Sequence, residues 1–208
     1  MIYTPRHFEV TDSKRLEQLI SSNPFATVVT SQNDKPIITH IPIKLDRERF
    51  LLEGHVAKAN AISKLLGQGD EVLFIFHGPH GYISPYWYKS HPNLPTWNYA
   101  VAHVYAKPEV IQDRSENQGI VMALAQAYEQ DKDLKSDVEL SSLFDKAIDG
   151  IVSFRAKILR IEGKFKLSQN KSVEDADVLI EKLENSKNET DHALALLMKE
   201  ENSLRKNK

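Results

Sequence analysis

The feature that most constrains the fold is a change in hydrophobic period at Phe25. Residues 12–22 place Leu16, Leu19 and Ile20 at helical spacing, behind Thr11 or Asp12 as a helix N-cap. After Asn23-Pro24 the pattern alternates in three β-rich runs, residues 25–30, 36–45 and 50–56, with turn-type breaks at 32–35 and 46–49. A short amphipathic helix followed by hairpin-connected antiparallel strands is therefore predicted.

The rest of the chain continues in this mixed pattern. Further β-rich runs cover residues 71–77, 99–111 and 151–165, and helical patterns cover 57–66, 114–147 and 173–204. Many hairpin-length connections favour a small closed barrel, mainly β with peripheral helices, over a parallel sheet. We expect a barrel domain over 1–170, with a helical insertion near 114–147, and a C-terminal helical extension over 171–208.

Composition removes several classes of site. The chain has no cysteine, which excludes disulfides, thiolate nucleophiles, Cys-ligated zinc and iron–sulfur clusters, and fits a reducing cytoplasm. The first ten residues lack the apolar stretch of a signal peptide. The most continuous apolar run, Val72–Phe76, is far shorter than the roughly 20 residues of a membrane-spanning helix. We expect a soluble, cytoplasmic protein.

The charge balance bears on nucleic-acid partners. With 27 basic and 29 acidic residues the formal charge is -2, so there is no excess of cations to neutralise a phosphate backbone. Any contact with DNA would need a local basic patch.

A candidate anion site lies where the run ending at Val56 meets the predicted helix 57–66. A helix start attracts anions, Lys58 would add a full charge, and His55 and Asn60 could donate hydrogen bonds. Gly54 would let the backbone approach a ligand closely. The alternative is that Lys58 is a solvated helix residue and His55 an ordinary strand histidine.

A second candidate is the segment Thr39-His40-Ile41-Pro42 within a predicted strand. Proline removes one ladder donor and so indicates an edge, a bulge or a ligand contact, where a flat ring system could lie. The alternative is an edge strand whose proline prevents aggregation.

The long segment 78–98 concentrates aromatic residues that could wall a pocket or a dimer interface, or simply pack in the core. The histidines nearby (His77, His80, His91 and His103) lack a spacing that indicates a metal site, and we expect none. No nucleophile elbow, P-loop or dinucleotide-binding glycine motif is present in the sequence.

Several strings in the sequence resemble one family. They are Tyr3-Thr-Pro-Arg-His-Phe8, Asn23-Pro-Phe-Ala-Thr-Val-Val-Thr30, Thr39-His-Ile-Pro42, Gly54-His-Val-Ala-Lys-Ala-Asn60, Phe76-His-Gly-Pro-His80, Tyr82-Ile-Ser-Pro85, Pro95-Thr-Trp-Asn-Tyr99 and Lys166-Leu-Ser-Gln-Asn-Lys171. In order and spacing, from Met1 to about Leu183, the chain resembles the PaiB-type FMN-binding negative transcriptional regulators.

The resemblance implies a fold and a cofactor. The fold would be an FMN-binding split β-barrel, Greek-key-like and six-stranded, similar to pyridoxamine-phosphate oxidases and flavin reductases, in which two subunits form a homodimer with FMN between them. The residues that it points to for FMN are Thr39, His40, Ile41, Pro42, His55, Lys58, Asn60, Trp97, Asn98, Ser168 and Gln169. By this likeness Lys58 lies near the phosphate and Thr39 to Pro42 lie beside the isoalloxazine.

Three functions follow from the resemblance. The first is an FMN-binding negative transcriptional regulator. The second is a flavin-dependent oxidoreductase of the pyridoxamine-phosphate oxidase or flavin reductase type, in which FMN performs the electron transfer. The third is a haem-binding split barrel, with His40, His55 or His80 as the iron ligand.

Overall fold

The computed structural model describes residues 2–129, 131–134 and 136–206. The strands are β1 (Glu9–Val10), β2 (Phe25–Gln32), β3 (Lys35–Asp46), β4 (Leu51–Ala57), β5 (Val72–Ile83), β6 (Thr96–Val110) and β7 (Ile151–Lys166). The α-helices are α1 (Ser13–Ser22), α2 (Arg114–Gln126), α3 (Val138–Ala147), α4 (Val173–Glu184) and α5 (Glu189–Lys206). Short 3₁₀ turns cover Arg6–Phe8, Ala61–Lys64 and Ile148–Gly150.

The strands form one closed sheet. Their order is β1-β7-β4-β3-β2-β5-β6, and β7 also pairs with β6. That last pairing joins the two ends of the sheet, so β2 to β7 form a six-stranded ring and β1 adds to β7 alone. Strand β2 pairs antiparallel with β3, and β4 pairs antiparallel with both β3 and β7. The predicted class, mainly β with peripheral helices in a barrel, is confirmed.

By its internal contacts the chain divides into two compact units. The first unit comprises the N-terminal segment up to Leu19, His77–Ala102 and the C-terminal segment from Glu162 onwards. The second unit comprises Ile20–Phe76 and His103–Ile161. Strands β5, β6 and β7 each contribute residues to both units. The domain boundary expected at 170 stays a prediction.

The core of the second unit is apolar and tightly packed. Phe74 and Phe154 are fully buried, with ring centroids 6.0 Å apart. Gly54 of β4 lies against this core, because a Cβ there would stand 2.7 Å from Ile43 Cδ1 and 2.8 Å from Phe154 Cζ. Only glycine fits this position without displacing the phenylalanine or the isoleucine.

The first unit is built from helices packed on strand ends. Leu16 and Leu19 of α1 are buried, as are Leu179 of α4 and Leu194 and Met198 of α5. The carboxylate of Asp175 in α4 accepts hydrogen bonds from the backbone N–H groups of Lys89 and Ser90, at 2.9 and 3.0 Å. These bonds connect α4 to the chain that follows β5.

Most predicted elements are confirmed, including α1 with Asp12 at its start, where Asp12 Oδ1 accepts the Lys14 N–H at 2.9 Å. The helix predicted over 57–66 is wrong: β4 continues to Ala57, and only Ala61–Lys64 forms a 3₁₀ turn. Side chains compete with helix formation here, since Asn60 accepts the Ile62 N–H and the Ser63 hydroxyl donates to the Lys58 carbonyl.

The strands on either side of the aromatic segment 78–98 extend further into it than the predicted β-rich runs 71–77 and 99–111. Strand β5 runs on to Ile83 and β6 begins at Thr96, so irregular structure is confined to 84–95. Among the described residues, no helix combines the length and apolar character needed to cross a membrane.

Candidate functional site

The predicted residues fall into two groups, one in each unit. Thr39, His40, Ile41, Pro42, His55, Lys58 and Asn60 belong to the second unit. Trp97, Asn98, Ser168 and Gln169 belong to the first.

The segment Thr39–Pro42 is paired on one side only. It pairs with β2 along its length, whereas the pairing of β3 with β4 covers Ile43–Asp46. Pro42 lies next to the point where β4 pairing stops, so its missing N–H breaks no ladder bond with β4. Ile41 is buried, and the exposed His40 ring stacks on Phe25 with centroids 6.3 Å apart.

Thr39 and Asn60 are brought together. Asn60 Nδ2 donates to Thr39 Oγ1 at 2.9 Å, and Asn60 Oδ1 accepts the Ile62 N–H at 3.1 Å. Both polar atoms of the amide are thus engaged within the protein. The bond joins the turn after β4 to the one-sided segment of β3.

Lys58 is exposed, and its ammonium forms no ion pair with any described residue. Its backbone N–H donates to the Gly150 carbonyl at 2.8 Å. No α-helix follows it, because the turn Ala61–Lys64 has four residues and lacks the aligned dipoles of a helix start. An anion at this place would be held by the Lys58 charge and not by a helix N-terminus.

His55 lies in β4 opposite Ser153. Its Nδ1 is buried and has no hydrogen-bond partner in the described part of the chain. Burial lowers the pKa of His55, which favours the neutral ring. The expectation that Gly54 lets a ligand approach is wrong, since Ile43 and Phe154 occupy the space beside it.

Within the first unit, Trp97 and Gln169 have local contacts. The Trp97 ring is 53% exposed and lies 5.7 Å from the His80 ring and 6.4 Å from the Tyr82 ring. Gln169 Oε1 accepts the Leu167 N–H at 2.7 Å, and its Nε2 donates to the Phe165 carbonyl. The Gln169 amide is therefore bonded to the backbone at the end of β7.

Asn98 and Ser168 are brought together in the interior. Asn98 is fully buried, and its Nδ2 donates to Ser168 Oγ at 2.9 Å and contacts Met198 Sδ at 3.4 Å. Its Oδ1 has no partner among the described residues. Ser168 follows β7 with a φ of 63°, in the left-handed region that few residues other than glycine adopt.

These two residues line a cavity of about 440 Å³, which we call the Asn98 cavity. Its lining is Tyr88, Pro92, Asn93, Leu94, Pro95, Thr96, Asn98, Lys166, Ser168, Asn170 and Lys171. Sequence reasoning missed Lys166, Lys171 and Tyr88 as site residues. The two lysines are the first and last residues of the string 166–171, which carries part of the family resemblance, and that string could have indicated them as site residues.

Electrostatics distinguish this cavity. Burial, followed by the charges of Lys164 and Lys171, lowers the pKa of Lys166. Burial also raises the pKa of Tyr88, assisted by the nearby Asp175 and opposed by a hydrogen bond with Ser168, so its hydroxyl stays protonated. In the residues that the structure describes, no cluster of three or more His, Asp or Glu side chains is arranged to hold a metal ion.

Comparison with known proteins identifies relatives of the chain. Residues 2–160 match the family described as "Putative FMN-binding domain". The "Protease synthase and sporulation protein PAI 2" of Bacillus subtilis is 34% identical over 203 residues, which cover 96% of this chain and 97% of that protein.

Solved structures share the fold. The flavocytochrome Anf3 from Azotobacter vinelandii superposes with a TM-score of 0.58 at 14% identity, over 78% of this chain and 72% of that one. The FAD and haem binding protein from Mycobacterium smegmatis gives a TM-score of 0.55 at 16% identity, over 76% and 73%. Identities this low show a common fold and nothing about ligands.

Proposed function

This chain belongs to the family described as "Putative FMN-binding domain", which matches its residues 2–160, and we propose that it binds FMN and acts as a negative transcriptional regulator of the PaiB type. The observation that carries the proposal is the 34% identity with the Bacillus subtilis sporulation protein across 96% of the chain. An identity of that extent includes the barrel and the C-terminal helices alike.

We further propose how the second unit contributes to FMN binding. Lys58 supplies a cation for the phosphate, with the buried Nδ1 of His55 as a neutral hydrogen-bonding atom. The isoalloxazine lies along Thr39–Pro42, where β3 has a strand on one side only and His40 is exposed. FMN, when bound, supplies a redox-active ring; the protein residues named here bind and orient it.

A homodimer in the cytoplasm completes the proposal. Phe25 and Ile38, on the paired strands β2 and β3, are 64% and 56% exposed, and large apolar side chains in that state favour a protein partner. We propose a second copy of the chain as that partner. The net charge of -2 does not favour direct binding of DNA, so a DNA contact would need a local basic patch.

The test of FMN binding is a visible spectrum of the purified protein followed by an FMN titration. At about 100 times the dissociation constant, FMN contributes roughly 2.7 kcal/mol to stability. For a chain of this size the Tm should then rise by roughly 5–10 °C. A colourless protein with no Tm shift at millimolar FMN would contradict the proposal, and reduction of the bound FMN by a nicotinamide would support an oxidoreductase instead.

The role of Lys58 is tested by Lys58→Ala, with Lys64→Ala as a matched control on the neighbouring exposed lysine. We expect FMN affinity to fall about fivefold in the first variant, because one exposed charge contributes on the order of 1 kcal/mol. The control should bind as the unmodified chain does. Equal affinities for all three proteins, measured by flavin fluorescence, would remove Lys58 from the site.

A further inference from the structure

The geometry points to a second ligand site: we propose that the Asn98 cavity binds a small hydroxylated anion, a phosphate monoester being the best match. The site lies within the first unit and goes beyond the FMN proposal, on which it does not depend. A volume of about 440 Å³ is within the range of small-molecule sites.

The charge of the cavity is one-sided. Lys166 and Lys171 line it, whereas none of its described lining residues is an aspartate or a glutamate, and neither lysine forms an ion pair with a described residue. Lys171 Nζ donates to Asn93 Oδ1 at 2.7 Å, and Lys166 Nζ donates to the Trp97 carbonyl at 2.7 Å and to Thr96 Oγ1. All these acceptors are neutral, so two positive charges lack a counterion.

The carboxylate of Asp175, whose charge acts on Tyr88 of the cavity lining, is already engaged. Asp175 accepts from the N–H groups of Lys89 and Ser90 and from the Ser90 hydroxyl, at 2.9, 3.0 and 2.6 Å. Lys164, beyond the cavity lining, adds further positive potential at Lys166. An anion entering the cavity would relieve repulsion that the protein itself leaves in place.

A buried amide supplies the second, independent observation. Asn98 is fully buried and lines the cavity, and its Oδ1 is unpaired among the described residues while its Nδ2 is engaged with Ser168. Exchanging the two amide atoms would leave the nitrogen unpaired instead. A buried polar atom without a partner is costly, and a ligand group that hydrogen-bonds to it removes that cost.

The lysines and the amide together define the ligand. The lysines require an oxyanion, and two ammonium groups suit the double charge of a phosphate better than a single carboxylate. Asn98 Oδ1 requires an O–H or N–H donor on the same molecule. Tyr88 provides an aromatic wall beside Lys171, with the Lys171 Nζ 5.2 Å from the Tyr88 ring centroid.

The probe for this site is glycerol 3-phosphate, followed through the Asn98 side-chain amide signal in NMR spectra of the full chain. Glycerol lacks the anion and propyl phosphate lacks the hydroxyl groups, so the two compounds test each requirement separately. We expect glycerol 3-phosphate to bind, propyl phosphate to bind less tightly, and glycerol not to bind. No response to either phosphate, or equal responses to glycerol and its phosphate, would overturn the proposal.

Substitutions locate the binding. Lys171→Met should weaken glycerol 3-phosphate about tenfold, the equivalent of one charge-assisted hydrogen bond, whereas Lys187→Met, an exposed lysine between α4 and α5, should not. Lys166→Met also removes the bonds to Thr96 and Trp97, so Lys166→Arg serves as the charge-keeping companion. Unchanged affinity in Lys171→Met and in a folded Lys166→Met would overturn the assignment.

FMN carries a phosphate of its own, so the two sources must be separated. Simultaneous binding of FMN and glycerol 3-phosphate supports a second site. Displacement of glycerol 3-phosphate by FMN, but not by riboflavin, identifies the cavity as the flavin's phosphate site and overturns the second-ligand proposal. Binding of glycerol 3-phosphate to a protein that does not bind FMN supports the second site while the FMN proposal fails.

Discussion

Two asparagines, Asn60 in the second unit and Asn98 in the first, donate to hydroxyl groups at the same distance of 2.9 Å and yet differ in what they leave unused. Asn60 is half-buried, and both of its polar atoms bond within the protein. Asn98 is fully buried, and its Oδ1 bonds to no described residue. The first pair completes a turn, whereas the second has capacity for a further partner.

The difference shows how a structural amide can be told from a candidate binding amide. Water can substitute for a lost partner at Asn60, because the site is partly exposed. Asn98 is buried away from bulk water, so a further partner can reach its side chain only through the cavity that it lines. Burial and the number of hydrogen bonds made within the protein therefore distinguish the structural asparagine, Asn60, from the candidate binding asparagine, Asn98.

The largest expected effect is at Asn98. Asn98→Leu removes the bond to Ser168 in the interior, and we expect a loss of about 1–3 kcal/mol of unfolding free energy. For a chain of this size, that corresponds to a Tm lower by roughly 2–12 °C in thermal unfolding followed by circular dichroism. An unchanged Tm would mean that the buried pair contributes nothing and would break the comparison.

Asn60→Ala should cost less, about 1 kcal/mol, because it removes a cap from a short turn near solvent. Asn60→Asp is the informative companion: its carboxylate still accepts the Ile62 N–H but does not donate to Thr39. We expect urea unfolding to place the aspartate variant between the alanine variant and the original chain. An aspartate variant as unstable as alanine would assign the whole effect to the Thr39 bond.

Double-mutant cycles sharpen the comparison further. For Asn98 and Ser168, the cycle of Asn98→Leu and Ser168→Ala should give a coupling free energy of about 1 kcal/mol. For Asn60 and Thr39, the cycle of Asn60→Ala and Thr39→Val should give about half of that value. The physical reason is that solvent competes with the second pair. A larger coupling in the exposed pair would mean that burial does not strengthen the Asn98 bond.

The smallest effect concerns pH and His55, whose buried Nδ1, like Asn98 Oδ1, bonds to no described residue. Burial lowers its pKa from the ordinary 6.5, so the unfolded chain binds a proton more readily than the folded one. Stability should therefore fall as the pH drops below about 6.5, and His55→Asn should remove part of that fall. Urea unfolding at neutral and mildly acidic pH measures this change in stability, and His77→Asn, at an exposed histidine, is the control. The same pH dependence of stability in both variants would contradict the assignment to His55.

The period of the apolar residues was enough to predict the strands of the barrel. It was not enough to predict the segment 57–66 of the candidate site, where side chains bond to the local backbone. Strands β2 to β4 follow from alternation and turn residues, which depend on neighbours in sequence. The helix expected over 57–66 failed because Asn60 and Ser63 bond to nearby backbone groups, an outcome that apolar spacing does not encode.

The Asn98 cavity was only half predictable. Asn98 and Ser168 came from the family resemblance, but Lys166 and Lys171 look in sequence like solvated lysines at a strand end. Only the fold shows that both line one cavity and that the described part of its lining contains no carboxylate. The segment 88–96 that completes the lining is distant in sequence from 166–171, and no local pattern connects them.

The composition of the first unit has a consequence for biosynthesis. Its three segments end at Leu19, span His77–Ala102 and begin at Glu162, so the ribosome has released most of the protein before the last of them exists. Asp175, which receives the Lys89 and Ser90 N–H groups, is translated more than eighty residues later than they are. Until then those donors are satisfied by water, and the first unit stays incomplete until the segment from Glu162 onwards has been made.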